Sequence, residues 1–349
     1  MDYSRVGIWL LFLGLMGILG CKKNNVSQQT SHLLTEPAHF PKPTYRYTKN
    51  PISTEGIALG RKLFFDPILS KNNTISCGSC HLPHQAYADP GKRFSAGIKQ
   101  QLTQRNTPGL FNLRWHRTFF ADGGVRHFEL IPLAPLVNRQ EMNGNLRDLI
   151  QKLQNDPTYR QDFQQVFATD SIQSKHILYA LAQFMGTLVS ANSRYDQYVL
   201  GKIKFTAEES KGLQLFTQKC SSCHQIKNQL FTDLSFQNIG LDRISTDPGR
   251  YLITELGADS GRFKVPSLRN VMLTPPYMHD GRFATIQEVL KHYDQGVRDA
   301  VNLASQLKKN NRLGIPISSA EKSALIRFLH TLTDSSFIQK SQAIAHPPR

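Results

Sequence analysis

The chain has 349 residues, of which 40% are hydrophobic and 19% charged, a balance that supports a buried core and excludes a disordered polymer. Its 42 lysines and arginines against 26 acids give a formal charge of +16. The basic residues are scattered, with no nucleic-acid motif among them, so the charge points to an acidic patch on a protein partner rather than to nucleic acid.

The N-terminal stretch "RVGIWLLFLGLMGILGC" has one arginine and then an apolar run too short to cross a bilayer comfortably, the shape of a signal-peptide core. Ile18-Leu19-Gly20 before Cys21 resembles a bacterial lipobox, so residues 1–20 are expected to be removed and Cys21 lipidated. The plainer alternative is a secretory signal with an incidental cysteine. Either way the mature protein is expected to be exported to the periplasm, and under the lipobox reading it touches a membrane only through its lipid. Residues 21–50 are polar and proline-bearing, and predict a flexible tether. Stretched out, it would reach about 95 Å at roughly 3.3 Å per residue.

Helices are predicted from there on. "STEGIALGRKLFFDP" places Ile57, Leu59, Leu63 and Phe64 on a helical spacing and stops at Pro67. "LRDLIQKLQ" is a second helix, and "SKHILYALAQFMGTLVSANSRYDQYV" reads as one long one. "FTAEESKGLQLFTQKCSSCH" opens with the capping box Thr206-x-x-Glu209. "ATIQEVLKHY" and "SSAEKSALIRFLHTL" follow, the latter capped by Ser318-x-x-Glu321. Strand-like alternation is scarce. The fold expected is mainly α, with two helical domains of one architecture, residues 51–200 and 201–349, divided near Gly201.

Two short motifs carry the chemistry. Cys77, Cys80 and His81 form C-x-x-C-H, and Cys220, Cys223 and His224 repeat it. Cysteines at this spacing can form thioethers to the two vinyl groups of a haem, while the next residue offers its imidazole to the iron. The five cysteines are these two pairs plus Cys21, which leaves none for a structural disulfide. Zinc is the rival, but it wants four gathered ligands per site, and no further cysteines or spaced histidines stand nearby. Each domain is therefore expected to be cytochrome c-like and to carry one haem c.

At this point the chain resembles the bacterial di-haem cytochrome c peroxidases, including the MauG-type enzymes. The resemblance runs over about residues 52–335, on "ALGRKLFFDPILS…ISCGSCH", "RNTPGLFNL", "FFADGG…PLAPLVNRQEM", "KCSSCH" and "FKVPSLRNVMLTPPYMHDGRFATIQEVLKHYDQG". It implies that the His81 haem meets hydrogen peroxide and that the His224 haem passes on electrons. The donor would be a small redox protein, a cytochrome c or a cupredoxin. A homodimer is compatible with this reading.

The resemblance also implies roles residue by residue. Glu141 in "RQEM" matches a distal-pocket acid/base, against the plain reading of a helix-start acid. Between His84 and His116 there is no histidine to close the first iron. His84 is expected in solvent or on the proximal side, and His116 is the one residue that could close the site. Tyr293 matches the second axial ligand, with His292 and Met278 as alternatives. Asn106, Thr274 and Pro276 match a calcium site between the domains; as bare residues they are turn formers. Arg269 and Arg282 could pair with haem propionates, or simply be solvated. Ala121 stands where the family has an inter-haem tryptophan, leaving Phe119, Phe120 or Trp115 for electron passage, and Ile131 lies near the place of a family glutamine. The rival functions are a pure di-haem electron carrier and a MauG-like oxidase of a partner protein.

Overall fold

The structure is a computed structural model describing residues 33–345, so Cys21 and the signal segment lie outside the described residues. It is mainly helical: α1 (Thr54–Phe65), α2 (Leu146–Asn155), α3 (Pro157–Phe167), α4 (Ser174–Gly186), α5 (Arg194–Val199), α6 (Ala207–Lys219), α7 (Ile286–Lys291), α8 (Ser319–His330) and α9 (Ser335–Ala345), among short turns. The strands are two-residue antiparallel pairs, one of them joining Phe236–Gln237 to Phe263–Lys264. No described helix is long and apolar enough to cross a membrane.

Two apolar clusters organise the chain. One runs from Leu59 to Leu188, and the other from Tyr195 to Leu332. Each is built on the same helix pair. α1 packs on α4, where a Cβ on Gly60 would sit 1.9 Å from the Ala180 carbonyl; α6 packs on α8, where one on Gly212 would sit 2.2 Å from the Ala324 carbonyl. Glycine is needed at both crossings because the backbones touch. Phe64 meets Phe184 at 5.1 Å, and Phe216 meets Phe328 at 5.0 Å.

The correspondence extends into the loops, where residues 105–125 and 263–283 are copies at a constant offset. Asn112 (φ 55°) and Asn270 (φ 56°) each open a 3-10 turn in the left-handed region. Phe119 bridges Val125, and Tyr277 bridges Phe283, around Asp-Gly turns with Gly123 at φ 70° and Gly281 at φ 64°.

Three expectations change. The predicted long helix breaks after Gly186 and restarts at Arg194. The intervening residues are held elsewhere: Ser190 exchanges hydrogen bonds with Asn112, and the Asn192 amide donates to Asp334 at 2.9 Å. The handover between clusters falls in this break, ahead of Gly201. The final helix α9 returns to the first cluster, with Phe337 on Tyr87 and Phe111, so the second domain does not run to the C-terminus.

The tether is the third correction. From Glu36 onward the segment is fixed to the body of the protein. Glu36 pairs with the buried Arg114, Pro41 takes the Trp115 indole N–H at 2.7 Å, and Tyr45 donates to Glu129 at 2.7 Å. Phe40, 8% exposed, lies between Trp115 of the first half and Leu230 of the second. Aromatic residues every few positions supply apolar area that burial rewards, which proline content alone did not reveal.

Candidate functional site

Each C-x-x-C-H sits on a single helical turn. The His81 amide donates to the Cys77 carbonyl at 2.9 Å, and His224 does the same to Cys220 at 3.0 Å, which gathers both cysteines and the histidine of each motif. The second turn follows directly on α6, whose C-cap is Cys220; the first is a 3-10 turn over Cys77–Ser79. His81 Nδ1 lies 2.7 Å from the Tyr87 carbonyl, and His224 Nδ1 lies 2.9 Å from that of Phe231. A carbonyl accepts, so in each ring Nδ1 carries the proton and Nε2 keeps a lone pair for a metal. Burial lowers the pKa of both rings and keeps them neutral, as ligands must be, even though these carbonyls oppose it.

The accepting carbonyls are themselves specially aimed. Tyr87 has φ 59° and Phe231 φ 56°, a region that side-chain-bearing residues seldom enter. The same outlier at two equivalent points marks a constraint belonging to the site. Phe64 meets Tyr87, and Phe216 meets Phe231, each at 5.9 Å, so the core of each half holds its own loop.

The four cysteines are free thiols. Burial pushes Cys77 and Cys220 up to about 12, with the neighbouring thiols adding to it. Among the described residues no group of three His, Cys, Asp or Glu is placed to hold a metal ion. Paired free thiols beside a neutral, carbonyl-anchored imidazole fit covalent haem, and fit it twice.

Glu141 lies near the first pair, where its charge bears on Cys77 and Cys80. Burial raises its pKa, and the Asn138 amide, donating to Oε1 at 2.7 Å, pulls it back in part. The Ile98 amide fixes the Glu141 carbonyl at 2.8 Å. His84 is exposed. His116 lies buried against Phe119, under the influence of Lys264.

Tyr293 lies near the second pair. Burial raises its phenol well above the usual value, and Cys220 and Cys223 add to the rise. It stands in a π turn, His292–Gly296, that follows α7. The alternative His292 is occupied, its Nε2 3.0 Å from the Ile239 carbonyl. Met278 sits in the turn before Phe283 at φ 77° and packs beside the second cluster.

Asn106 of the first half meets, in the second, the turn that follows Thr274 and Pro276. The Asn106 amide N–H donates to the His279 carbonyl at 2.8 Å, and its Nδ2 reaches the Lys92 and Arg93 carbonyls. The neighbouring carboxylate of Asp280 is taken by Arg93 and Arg282, so it is not free to add its charge to these three residues. Arg269 corrects the solvated reading. It is 1% exposed and grips the buried Asp196 through two bonds, while Arg282 pairs with Asp242 and Asp280. Ala121 occupies the seam between the halves, its carbonyl taking the Lys264 amide at 2.7 Å. Trp115 stacks edge-on with Phe40 at 5.4 Å, Phe119 is buried, and Ile131 is part of the first cluster. The loop repeat and Lys264 were not singled out from sequence, although "FFADGG" and "YMHDGR" carried the signal.

Known proteins show the same organisation. A family profile described as di-haem cytochrome c peroxidase matches residues 54–204. The methylamine utilization protein MauG of Methylorubrum extorquens is 33% identical over 314 residues, covering 88% of this chain and 86% of that protein. The cytochrome c551 peroxidase of Nitrosomonas europaea is 32% identical over 289 residues, 81% of each chain. Among solved structures, a MauG-like protein associated with microbial copper homeostasis superposes with a TM-score of 0.76 at 32% identity, covering 87% of this chain and 96% of its own.

Proposed function

The chain belongs to the di-haem cytochrome c peroxidase family, and from that premise we propose that it reduces hydrogen peroxide to water with electrons from a small redox protein. Membership itself makes the chain a haem c oxidoreductase of the peroxidase and MauG kind. The observation that carries the finer reading is Glu141, a half-buried carboxyl near Cys77 and Cys80 and oriented by Asn138.

The residues present fit two haems: Cys77, Cys80 and the His81 Nε2 would hold one, and Cys220, Cys223 and the His224 Nε2 the other, with Tyr293 as the further residue near that second pair that would ligate its iron. When bound, these groups supply the iron that peroxide meets and the relay that brings electrons to it. Peroxide takes up two electrons and two protons and leaves as two waters. Moving a proton from its inner to its outer oxygen is the work of Glu141. Oε1 accepts from Asn138, so the proton is handled at Oε2. Burial raises the carboxyl's pKa, which makes it a better proton acceptor than a solvated glutamate. A cytochrome c or cupredoxin with an acidic patch suits the charge of +16. Export to the periplasm and a lipid on Cys21 complete the proposal.

A second reading, oxidation of a partner protein as in MauG-type enzymes, is favoured by Tyr293. Ala121 weighs against it, since its methyl puts no ring at that position itself. The test is steady-state turnover of the haem-loaded protein with peroxide and a reduced cytochrome c. Two donor equivalents oxidised per peroxide are expected. Peroxide consumed without donor oxidation, with a partner protein modified instead, would overturn the first reading in favour of the second.

A further inference from the structure

The loop repeat makes the seam between the halves nearly two-fold, and its two ends differ in charge. At one end stand Asn106, Thr274 and Pro276. The constant offset carries these onto Lys264, His116 and Thr118 at the other. The backbone obeys the same relation: the Asn106 amide donates to the His279 carbonyl, and the Lys264 amide to the Ala121 carbonyl. One end is thus neutral and rich in carbonyls, while the other holds an ammonium.

That ammonium has no counter-charge. Lys264 Nζ donates to the Thr118 carbonyl at 2.8 Å and forms no ion pair among the described residues. The carboxylate whose charge reaches it is Asp122, which is already bound to Arg105 at 2.5 Å. An ammonium has three donors, so two remain. Beside it His116 is 9% exposed, stacks on Phe119, and leaves both ring nitrogens without a hydrogen-bond partner. Burial, reinforced by the lysine charge, keeps this ring neutral, so it offers one N–H. A buried imidazole with neither nitrogen satisfied, next to an unpaired cation, is a costly arrangement unless an anion completes it.

We propose that His116 and Lys264 form a carboxylate seat on the domain seam, filled by the carboxylate side chain of one of the haems. The proposal rests on the haem reading of the family, and does not need the peroxide chemistry. Position supports it. Lys264 is two residues before Pro266, whose carbonyl bears on the His224 ring, and Pro108, whose carbonyl bears on His81, opens the stretch that ends at His116. Both haem-holding loops therefore reach the seam here. Two carboxylate oxygens match the donors available, one taking the imidazole N–H and the other the ammonium. A small free carboxylate has the same chemistry, and the test separates the two sources.

The experiment uses the full, haem-loaded chain. Haem is counted from the alkaline pyridine spectrum, and both midpoint potentials are then measured with and without added acetate. Lys264→Met is expected to keep two haems and lower one midpoint, because losing a nearby positive charge favours the ferric state. Lys264→Arg should stay near wild type, and acetate should move neither midpoint. Should Lys264→Met fail to fold, His116→Phe, which can still stack on Phe119 but donates nothing, should shift the same haem. Two bound haems with unmoved potentials would overturn the seat. A wild-type midpoint that follows acetate would overturn haem as its source and assign it to a free anion. A chain that binds no haem would overturn this proposal and the functional reading together.

Discussion

Asn138 Nδ2 donates to Glu141 Oε1 over 2.7 Å, and this bond opposes the burial that raises the glutamate's pKa. Proton abstraction from peroxide needs the carboxylate form. Removing the donor leaves burial unopposed, so the pKa rises further and the carboxylate appears only at higher pH. Asn138→Ala is therefore expected to move the acid limb of the kcat/KM profile for peroxide upward. Glu141→Gln should keep both haems and lose about 10²–10⁴-fold in kcat/KM. Unchanged turnover in Glu141→Gln would remove the residue from the mechanism.

Tyr293 and His292 are neighbours with opposite commitments. Tyr293 is half-buried near Cys220 and Cys223, while His292 is tied to the Ile239 carbonyl. Tyr293→Phe is expected to change the electronic and EPR signature of one haem and leave the other as it was. His292→Phe should leave both signatures intact and cost about 1–3 kcal/mol in stability, since it orphans a carbonyl. The reverse pattern would exchange the two assignments.

Gly60 and Gly212 test the repeat. Alanine normally improves a helix by about 1 kcal/mol over glycine. Here each new methyl would meet a carbonyl, Ala180 or Ala324, at a distance no packed atom tolerates. Both Gly→Ala variants should therefore lower the thermal midpoint, and by similar amounts. A rise at either site would show that its helix pair can separate freely.

The N-terminal segment offers a fourth test. His39 Nε2 lies 2.9 Å from Asp196, which Arg269 grips, and Arg269 lies over the Phe40 ring at 4.6 Å. Burial would raise the Asp196 pKa, but the Arg269 bonds and charge, then Ser193, bring it below the ordinary 3.8. Its contribution to stability is thus present above that value and lost as pH falls through the lower folded value. Asp196→Asn leaves Arg269 buried without a counter-charge and should cost about 3–5 kcal/mol at neutral pH. Phe40→Ala should cost roughly 3 kcal/mol by denaturant unfolding; no loss would return the segment to the status of a tether.

The two C-x-x-C-H motifs, the helical class and the boundaries of α1, α6 and α8 were legible in the chain itself. Each rests on local chemistry: a C-x-x-C-H turn, an apolar stripe, a capping box. Residues 36–50 were misread because their aromatics find partners, Trp115, Glu129 and Ala182, only far along the chain. The long helix was misread for the same reason, since Asn112 and Asp334 draw Ser190 and Asn192 out of it. His116 is the clearest case. Sequence offered it as the one residue able to close the first iron; that it stacks on Phe119 and lies near Lys264, a residue of the other half, is visible only in the tertiary structure. What the sequence determined by itself was every feature whose physics is complete within a few residues. Which distant groups share a buried surface, and therefore which charges and nitrogens are left to bind something, was decided only when the two halves met.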